Sequence, residues 1–351
     1  GESAYFECLD GIVYSKNPSS GDIDGVSIVP KGKKGVAIIN ENAKRVNDKA
    51  FYECRKISSI VIPESVTEIG QAAFYECVGV KTIKIPNSVT KIAQSAFSGC
   101  SGLIDVTIPD DVVYIDSHSF YGCAALTKVT IPKNVESIGV NAFGECSSLK
   151  EFVVASENAD YESKDGAIYT KDFETLVSVP AGMEGEFVVD DRVTFINPSA
   201  FSGCAKLTKV TIPSGVTLIR NGAFSGCSKL ANLELPKELD AIEDSTFDGC
   251  RELAKLVIPL GVKTIGDSAF YGCSKLESIV IPSGVTEIGQ EVFVGCSSLK
   301  SVAIPPGVTA IGENAFSACA SLEEVTIPGH VKSIGNGAFS HCSGLSSVVI
   351  Q

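Results

Sequence analysis

The sequence predicts an α/β solenoid. This is a stack of short coils with one parallel β-sheet on one side, short helical turns on the other, and two inserted β-hairpin modules. Three observations predict it. Phe-x-x-Cys recurs every 23 residues, through Cys54, Cys77, Cys100, Cys123 and Cys146, then through Cys204, Cys227, Cys250, Cys273, Cys296, Cys319 and Cys342. Each period carries a short apolar alternation, in most repeats closed by Pro. The two stretches that break the period are copies of each other. A fixed period of this kind means that each repeat buries its apolar face only against its neighbours. The functional question therefore concerns an extended surface more than a catalytic pocket.

Residues 1–54 read as the first hairpin module. Asp10-Gly-Ile-Val-Tyr-Ser-Lys16 sets an Asp-Gly turn signal before an apolar stretch, which is the strongest short hairpin signature. Val26-Ser-Ile-Val-Pro30 and Gly35-Val-Ala-Ile-Ile39 follow. Asp22-Ile-Asp-Gly25 resembles part of a calcium loop but lacks the closing Glu, so it reads as a hairpin turn.

Residues 55–146 are regular repeats. In Leu126-Thr-Lys-Val-Thr-Ile131 apolar and polar residues alternate, the pattern of a half-buried strand. Pro132 lacks an N–H and ends it. Val135 and Ile138 bring the chain back across the core. Gly139 to Cys146 reads as one or two helical turns, with Ala142, Phe143 and Cys146 on one side. The glycine before this segment recurs at Gly70, Gly266, Gly289, Gly312 and Gly335, and a tight bend is the expected reason.

Residues 147–204 form a repeat interrupted by the second hairpin, Asp165-Gly-Ala-Ile-Tyr-Thr-Lys171. Pro30 and Pro180 are 150 residues apart, as are Cys54 and Cys204. A linker between two domains is the alternative reading. The patterned sequence favours an insertion, and hence one solenoid over 1–351. Residues 205–351 resume the repeats and end on the strand-like Ser347-Val-Val-Ile350. A solenoid end needs a polar cap. The chain therefore reads as a piece of a longer protein, and its last strand offers an edge for self-association.

The full unit, Leu-x-x-Val-x-Ile-Pro-x-x-Val-x-x-Ile-Gly-x-x-Ala-Phe-x-x-Cys, resembles the BspA-type leucine-rich repeats of bacterial surface proteins. The resemblance covers nearly the whole chain. It implies a right-handed superhelix whose parallel sheet is concave and whose helical turns are convex. It also implies a cell-surface or secreted protein engaged in adhesion. The Asn that follows the strand in general leucine-rich repeats survives only as Asn134, so no asparagine ladder is expected.

Net charge is −13, which disfavours nucleic acid and anionic membranes as partners. No apolar run approaches the roughly 18 residues of a membrane span. Stacked equivalent cysteines have Cβ atoms about 4.8 Å apart on parallel vectors, too far for a disulfide. The twelve periodic cysteines should form a ladder of buried thiols, and Cys8, off the lattice, should be a free thiol. No Cys-x-x-Cys, Walker loop, Gly-x-Gly-x-x-Gly or Gly-x-Ser-x-Gly is present. His118, His330 and His341 do not align in the stack. Neither a catalytic residue, a metal ligand nor a cofactor is assigned.

The expected function is a cell-surface or secreted interaction scaffold, binding an extracellular protein or glycan through its concave face. The outward strand residues of that face include no Trp, Tyr, Phe or Arg, the residue types that dominate hot spots. A spacer with no ligand of its own is therefore the second reading. The candidate partner-binding residues are Lys255, Val257, Ser278, Val280, Ser301, Ala303, Glu324 and Thr326, where Val257, Val280 and Ala303 make an apolar stripe. The hairpin modules, with Tyr14, Tyr161 and Tyr169, are a second candidate surface.

Overall fold

The computed structural model describes residues 3–351. The chain forms two compact units. One runs to Lys171 and includes Pro180–Gly182; the other comprises Asp172–Val179 and Met183–Gln351.

The first unit opens on an antiparallel hairpin of Phe6–Leu9 and Ile12–Lys16. Its turn, Asp10-Gly11, has φ of 50° and 72°, the pair of positive values that a type I′ turn requires. Ile12–Lys16 also pairs antiparallel with Ile23–Ile28. The tight turn between them lies at Asn17–Asp22, closed by Asn17 N donating to Asp22 O. Asp24 thus sits in a strand, not a turn, and pairs with Arg45. From Ile23–Ile28 a parallel ladder runs through Arg45–Val46, Glu68–Ile69, Lys91–Ile92, Tyr114–Ile115 and Ser137–Ile138. A second set of parallel pairs joins Gly35–Ile38 to Ile57–Val61, Thr82–Lys84 to Asp105–Thr107, and Lys128–Ile131 to Glu151–Val154. The second hairpin, Tyr161–Lys164 with Ala167–Thr170, repeats the turn chemistry at Asp165 and Gly166, with φ of 50° and 80°.

The second unit has the same two kinds of ladder. One joins Thr175–Ser178, Phe195–Ile196 and Leu218–Ile219. Further two-residue strands follow at Ala241–Ile242 and Thr264–Ile265, then at Glu287–Ile288, Ala310–Ile311 and Ser333–Ile334. The other kind joins Glu184–Val188, Lys206–Thr211 and Asn232–Leu233, then Ser278–Val280, Ser301–Ala303, Glu324–Ile327 and Ser347–Ile350. Each coil therefore contributes to two parallel ladders, where the sequence predicts one sheet. The second ladder arises at the Val-x-x-Ile return. Its strands are two residues long, too short for any alternation to show.

The expected helical turns are absent among the described residues, so the α/β description gives way to coils of strands and turns. A helix needs each N–H to reach the carbonyl four residues back. Between Gly70 and Cys77, Ala73, Tyr75 and Cys77 bond three residues back, while Ala72, Phe74 and Glu76 bond forward to Gln94, Ala96 and Ser98 of the next coil. Ala72 and Glu76 have φ of 52° and 53°, left-handed values that interrupt a right-handed helix. Alternate amides are thus committed to the neighbouring coil. A spacing of i, i+1, i+4 fits this arrangement as well as it fits a helix.

The recurrent glycine also has a different reason from a bend. Gly70 and its equivalents are not left-handed. A Cβ on Gly70 would stand 2.6 Å from the backbone nitrogen of Asp48 and 2.8 Å from the carbonyl carbon of Asn47. The glycine lets the backbones of successive coils approach closely.

Inside, the Phe and Cys columns are continuous ladders within each unit. Phe97 lies 5.2 Å from Phe74 and 5.1 Å from Phe120, with planes 11° and 7° apart. In the second unit Phe270 and Phe293 stack at 5.4 Å. All thirteen cysteines are thiols and none is in a disulfide; Cys8 is exposed, Cys342 half-buried and the other eleven buried. Each periodic thiol donates to a backbone carbonyl of the preceding coil, as Cys100 Sγ does to Phe74 O at 3.1 Å and Cys123 Sγ to Phe97 O at 3.2 Å. Burial raises their pKa, to about 11 for Cys54 and about 12 for Cys100, Cys146 and Cys319. They are neutral packing groups, not nucleophiles.

Candidate interaction surface

The longer strands of the second unit alternate cleanly, because successive side chains point to opposite faces. In Ser278–Val280 the central Ile279 is buried, while Ser278 and Val280 face outward. Ser301–Ala303 repeats the pattern. In Glu324–Ile327, Glu324 is exposed and Thr326 half-exposed. Parallel register sets Ser278 beside Ser301 and Ser301 beside Glu324, and sets Val280 beside Ala303 and Ala303 beside Thr326. Lys255 joins the first row through a single bridge to Ser278. Val257, two residues on, is 83% exposed, and Val280 is 73% exposed. The eight predicted residues thus fall into a polar row and a largely apolar row.

The register groups them unequally. Ser301, Ala303, Glu324 and Thr326 line an open depression of ≈ 630 Å³ together with His330. Lys255, Val257, Ser278 and Val280 lie outside it on the open sheet face. Two features escape the sequence reading. Leu260, in the turn after Pro259, is 87% exposed and extends the apolar surface at Val257; its column otherwise holds turn residues, so no periodic signal marks it. A second depression of ≈ 600 Å³ is lined by Lys209, Thr211, Asn232 and Glu234, where Lys209 is tied to Glu186 at 3.2 Å.

The first unit presents its own apolar corner. Val36, Ile38 and Val61 are exposed, with Ile38 opposite Val61 in register. The sequence reading placed Gly35–Ile39 within the hairpin module and so missed that it begins this ladder.

The hairpin tyrosines are not the exposed surface expected of them. Tyr14 and Tyr169 are buried. The Tyr14 hydroxyl accepts from Asn40 N at 3.0 Å, and burial raises its phenol. Tyr161 is half-buried, and its hydroxyl accepts from Ile138 N at 3.2 Å and donates to Glu136 O at 3.3 Å. Tyr14 and Tyr161 thus fasten the hairpins to the coils through their hydroxyls, since a buried phenol needs a polar partner. Asn158, which the sequence did not single out, acts alongside. It donates to Pro132 O and Val135 O and accepts from Asp160 N and Tyr161 N. Among the described residues no three His, Cys, Asp or Glu side chains converge as a metal-binding set. No helix there is long and apolar enough to cross a membrane.

The surface belongs to a recognisable group of proteins. A sequence model described as a BspA type leucine rich repeat region matches residues 39–164, 185–296 and 263–351. No curated protein is significantly similar to the chain. Among solved structures, a leucine rich cell surface protein from Faecalibacterium prausnitzii A2-165 is 28% identical, with a TM-score of 0.68, over 100% of this chain and 96% of that one. A leucine-rich repeat protein from Bacteroides ovatus ATCC 8483 is 27% identical, with a TM-score of 0.56, over 97% of this chain and 88% of that one. The pneumococcal vaccine antigen PcpA shares the fold at 22% identity, with a TM-score of 0.68 and 100% of each chain covered. The repeat, its two ladders and these likenesses agree: the chain belongs to the BspA-type leucine-rich repeat family.

Proposed function

We propose that the chain is a non-enzymatic interaction scaffold of a bacterial cell surface, secreted or surface-held, that binds an extracellular protein or glycan through the outward strand face of its second unit. The observation that carries this reading is the apolar row Val257, Val280 and Ala303, exposed beside the polar row Lys255, Ser278, Ser301 and Glu324. An exposed apolar stripe rimmed by polar residues is the usual mark of an interaction site. The depression at Ser301, Ala303, Glu324 and Thr326 adds concavity at one end. The likeness to a protein described as a leucine rich cell surface protein supports the location. The net charge of −13 favours protein or glycan over nucleic acid.

The test is a binding screen of the purified chain against extracellular-matrix proteins and surface glycans at physiological salt. A saturable hit that Val257→Lys/Val280→Lys abolishes supports the reading; a hit that survives the double substitution refutes the assigned face. The second reading is a spacer that presents another domain. It is favoured by the absence of Trp, Tyr, Phe and Arg from the outward positions of the strands that carry the proposed face, and a clean negative across the panel would favour it further. Edge-to-edge self-association through Ser347–Ile350, whose four residues are all exposed, would show as a concentration-dependent mass in sedimentation.

A further inference from the structure

The turns of the first unit that carry the Phe and Cys columns hold a second surface, distinct from the strand face. Tyr52 and Tyr75 stack with centroids 4.8 Å apart and planes 7° apart. At the start of this short ladder Lys31 places its Nζ 5.3 Å from the Tyr52 centroid and pairs with Glu53 at 2.9 Å. The protein itself shows what the arrangement accepts: a cation held between a tyrosine ring and the adjacent carboxylate.

A tyrosine and a carboxylate also lie close together at Tyr121 and, one coil on, Glu145, without such a cation. Glu145 is exposed and forms no ion pair among the described residues. Burial, and next the nearby Glu145 carboxylate, raise the Tyr121 phenol. The residue that follows Tyr121 in its column, 23 positions on, is Gly144, so no side chain of that column covers the ring. The Asn141 Oδ1 occupies the space that a Cβ on Gly144 would take. That oxygen is buried and has no hydrogen-bond partner, although a buried acceptor left unmade is costly. His118, edge-on to Tyr121 at 5.6 Å, bounds the other side. A ring and a carboxylate thus lie close together on successive coils, and the ionised carboxylate can only accept.

We propose that Tyr121 and Glu145 form a receptor for a lysine or arginine side chain of a basic partner protein, which repeats in trans what Lys31 does in cis at Tyr52 and Glu53. An ammonium or guanidinium supplies the donors these groups lack. The net charge of −13 raises the local concentration of a basic partner. A sugar hydroxyl also donates, but nothing in the chain imitates a sugar at this column, whereas Lys31 imitates a basic side chain.

The test is calorimetric titration of the intact chain with hexalysine, at low and at physiological salt, with fully acetylated hexalysine as the neutral control. Glu145→Gln and Tyr121→Ala should each weaken hexalysine binding about fivefold. Tyr121→Phe, which keeps the ring, should bind as the parent does. Glu287→Gln removes the same charge from an exposed position of the second unit and should change nothing. Equal weakening by Glu287→Gln and Glu145→Gln would overturn the site in favour of general charge attraction. Acetylated peptide binding as well as hexalysine would overturn the cation. Binding of a neutral oligosaccharide that Tyr121→Ala abolishes, with hexalysine unaffected, would make the patch a glycan platform instead. If Tyr121→Ala disturbs the stack, Glu145→Gln and Tyr121→Phe still decide.

Discussion

Phe97 is the position at which the stacking of the coils can be tested most directly. It is buried to 1% exposure and lies between Phe74 at 5.2 Å and Phe120 at 5.1 Å, nearly parallel to both. An aromatic pair in such geometry contributes about 0.5–1.5 kcal/mol beyond the area it buries. Phe97→Leu keeps most of the apolar volume and loses two such pairs, so it should cost about 1–3 kcal/mol. Phe97→Ala also opens a cavity and should cost about 3–5 kcal/mol. Phe51 is also buried and has one neighbour in the Phe ladder, Phe74 at 5.1 Å, so Phe51→Leu should cost about half as much as Phe97→Leu. The assay is urea unfolding followed by circular dichroism. Hydrogen exchange should localise the loss to coils adjoining Phe97, because solenoid stability is a sum of nearest-neighbour terms. Equal costs for Phe97→Leu and Phe51→Leu would refute the stacking term, and exchange rising evenly across the chain would refute the nearest-neighbour account.

Three further outcomes are expected. Gly70→Ala forces a methyl against the backbone of Asp48 in the preceding coil and should cost about 1–3 kcal/mol in the same urea assay, whereas Gly32→Ala, with nothing within 4 Å of its added Cβ, should change stability by no more than about 1 kcal/mol. A thiol titration of the native chain should modify Cys8 rapidly and Cys342 slowly, and should reach the eleven buried thiols only on unfolding. Stability should fall in alkali: the ladder thiols stay protonated in the fold to about 11 or 12 against an ordinary value of 9.0, so the unfolded chain releases protons first. The contribution is complete below pH 9 and each thiol removes about 1.4 kcal/mol per pH unit above it, which melting curves across that range would register.

The repeat and its stacking were legible in the sequence because every coil votes for the same column. Phe97 or Cys100 alone would suggest little; twelve copies at one spacing leave no other period. The hairpins were legible for a different reason, since Asp10-Gly11 and Asp165-Gly166 carry the turn chemistry themselves. Helical turns were a misreading because Ala142, Phe143 and Cys146 share one side whether the chain is a helix or a series of turns. What separates the two is the destination of the amides, and Phe74 N bonds Ala96 O in the next coil, a partner that no local pattern reveals. Tyr14 and Tyr169 misled similarly: a tyrosine in a module that breaks the surface looks exposed until the coil on which it rests is in place. The outward positions Ser278, Val280, Ser301 and Ala303 were correctly oriented, because period-two alternation encodes facing directly.

In a solenoid the interior has little freedom to differ from one coil to the next, since each Phe, Cys and Gly is held by its copies above and below. Specific chemistry must then reside in the outward columns, whose residues vary from coil to coil. Leu260 stands in a column that holds Lys237 and Ser283 on either side, Val257 and Val280 follow Thr211 and Glu234 in a column that also holds Val61 and Val153, and Gly144 follows Tyr52, Tyr75, Ser98 and Tyr121 in theirs. None of these departures improves the stack. Exposing Leu260 gains no burial, and replacing a ring by Gly144 leaves Asn141 Oδ1 without a donor. The two proposed sites, one on each unit, thus lie on outward columns whose residues vary from coil to coil, and that is the physical reason to look for partners there and not along the uniform interior columns.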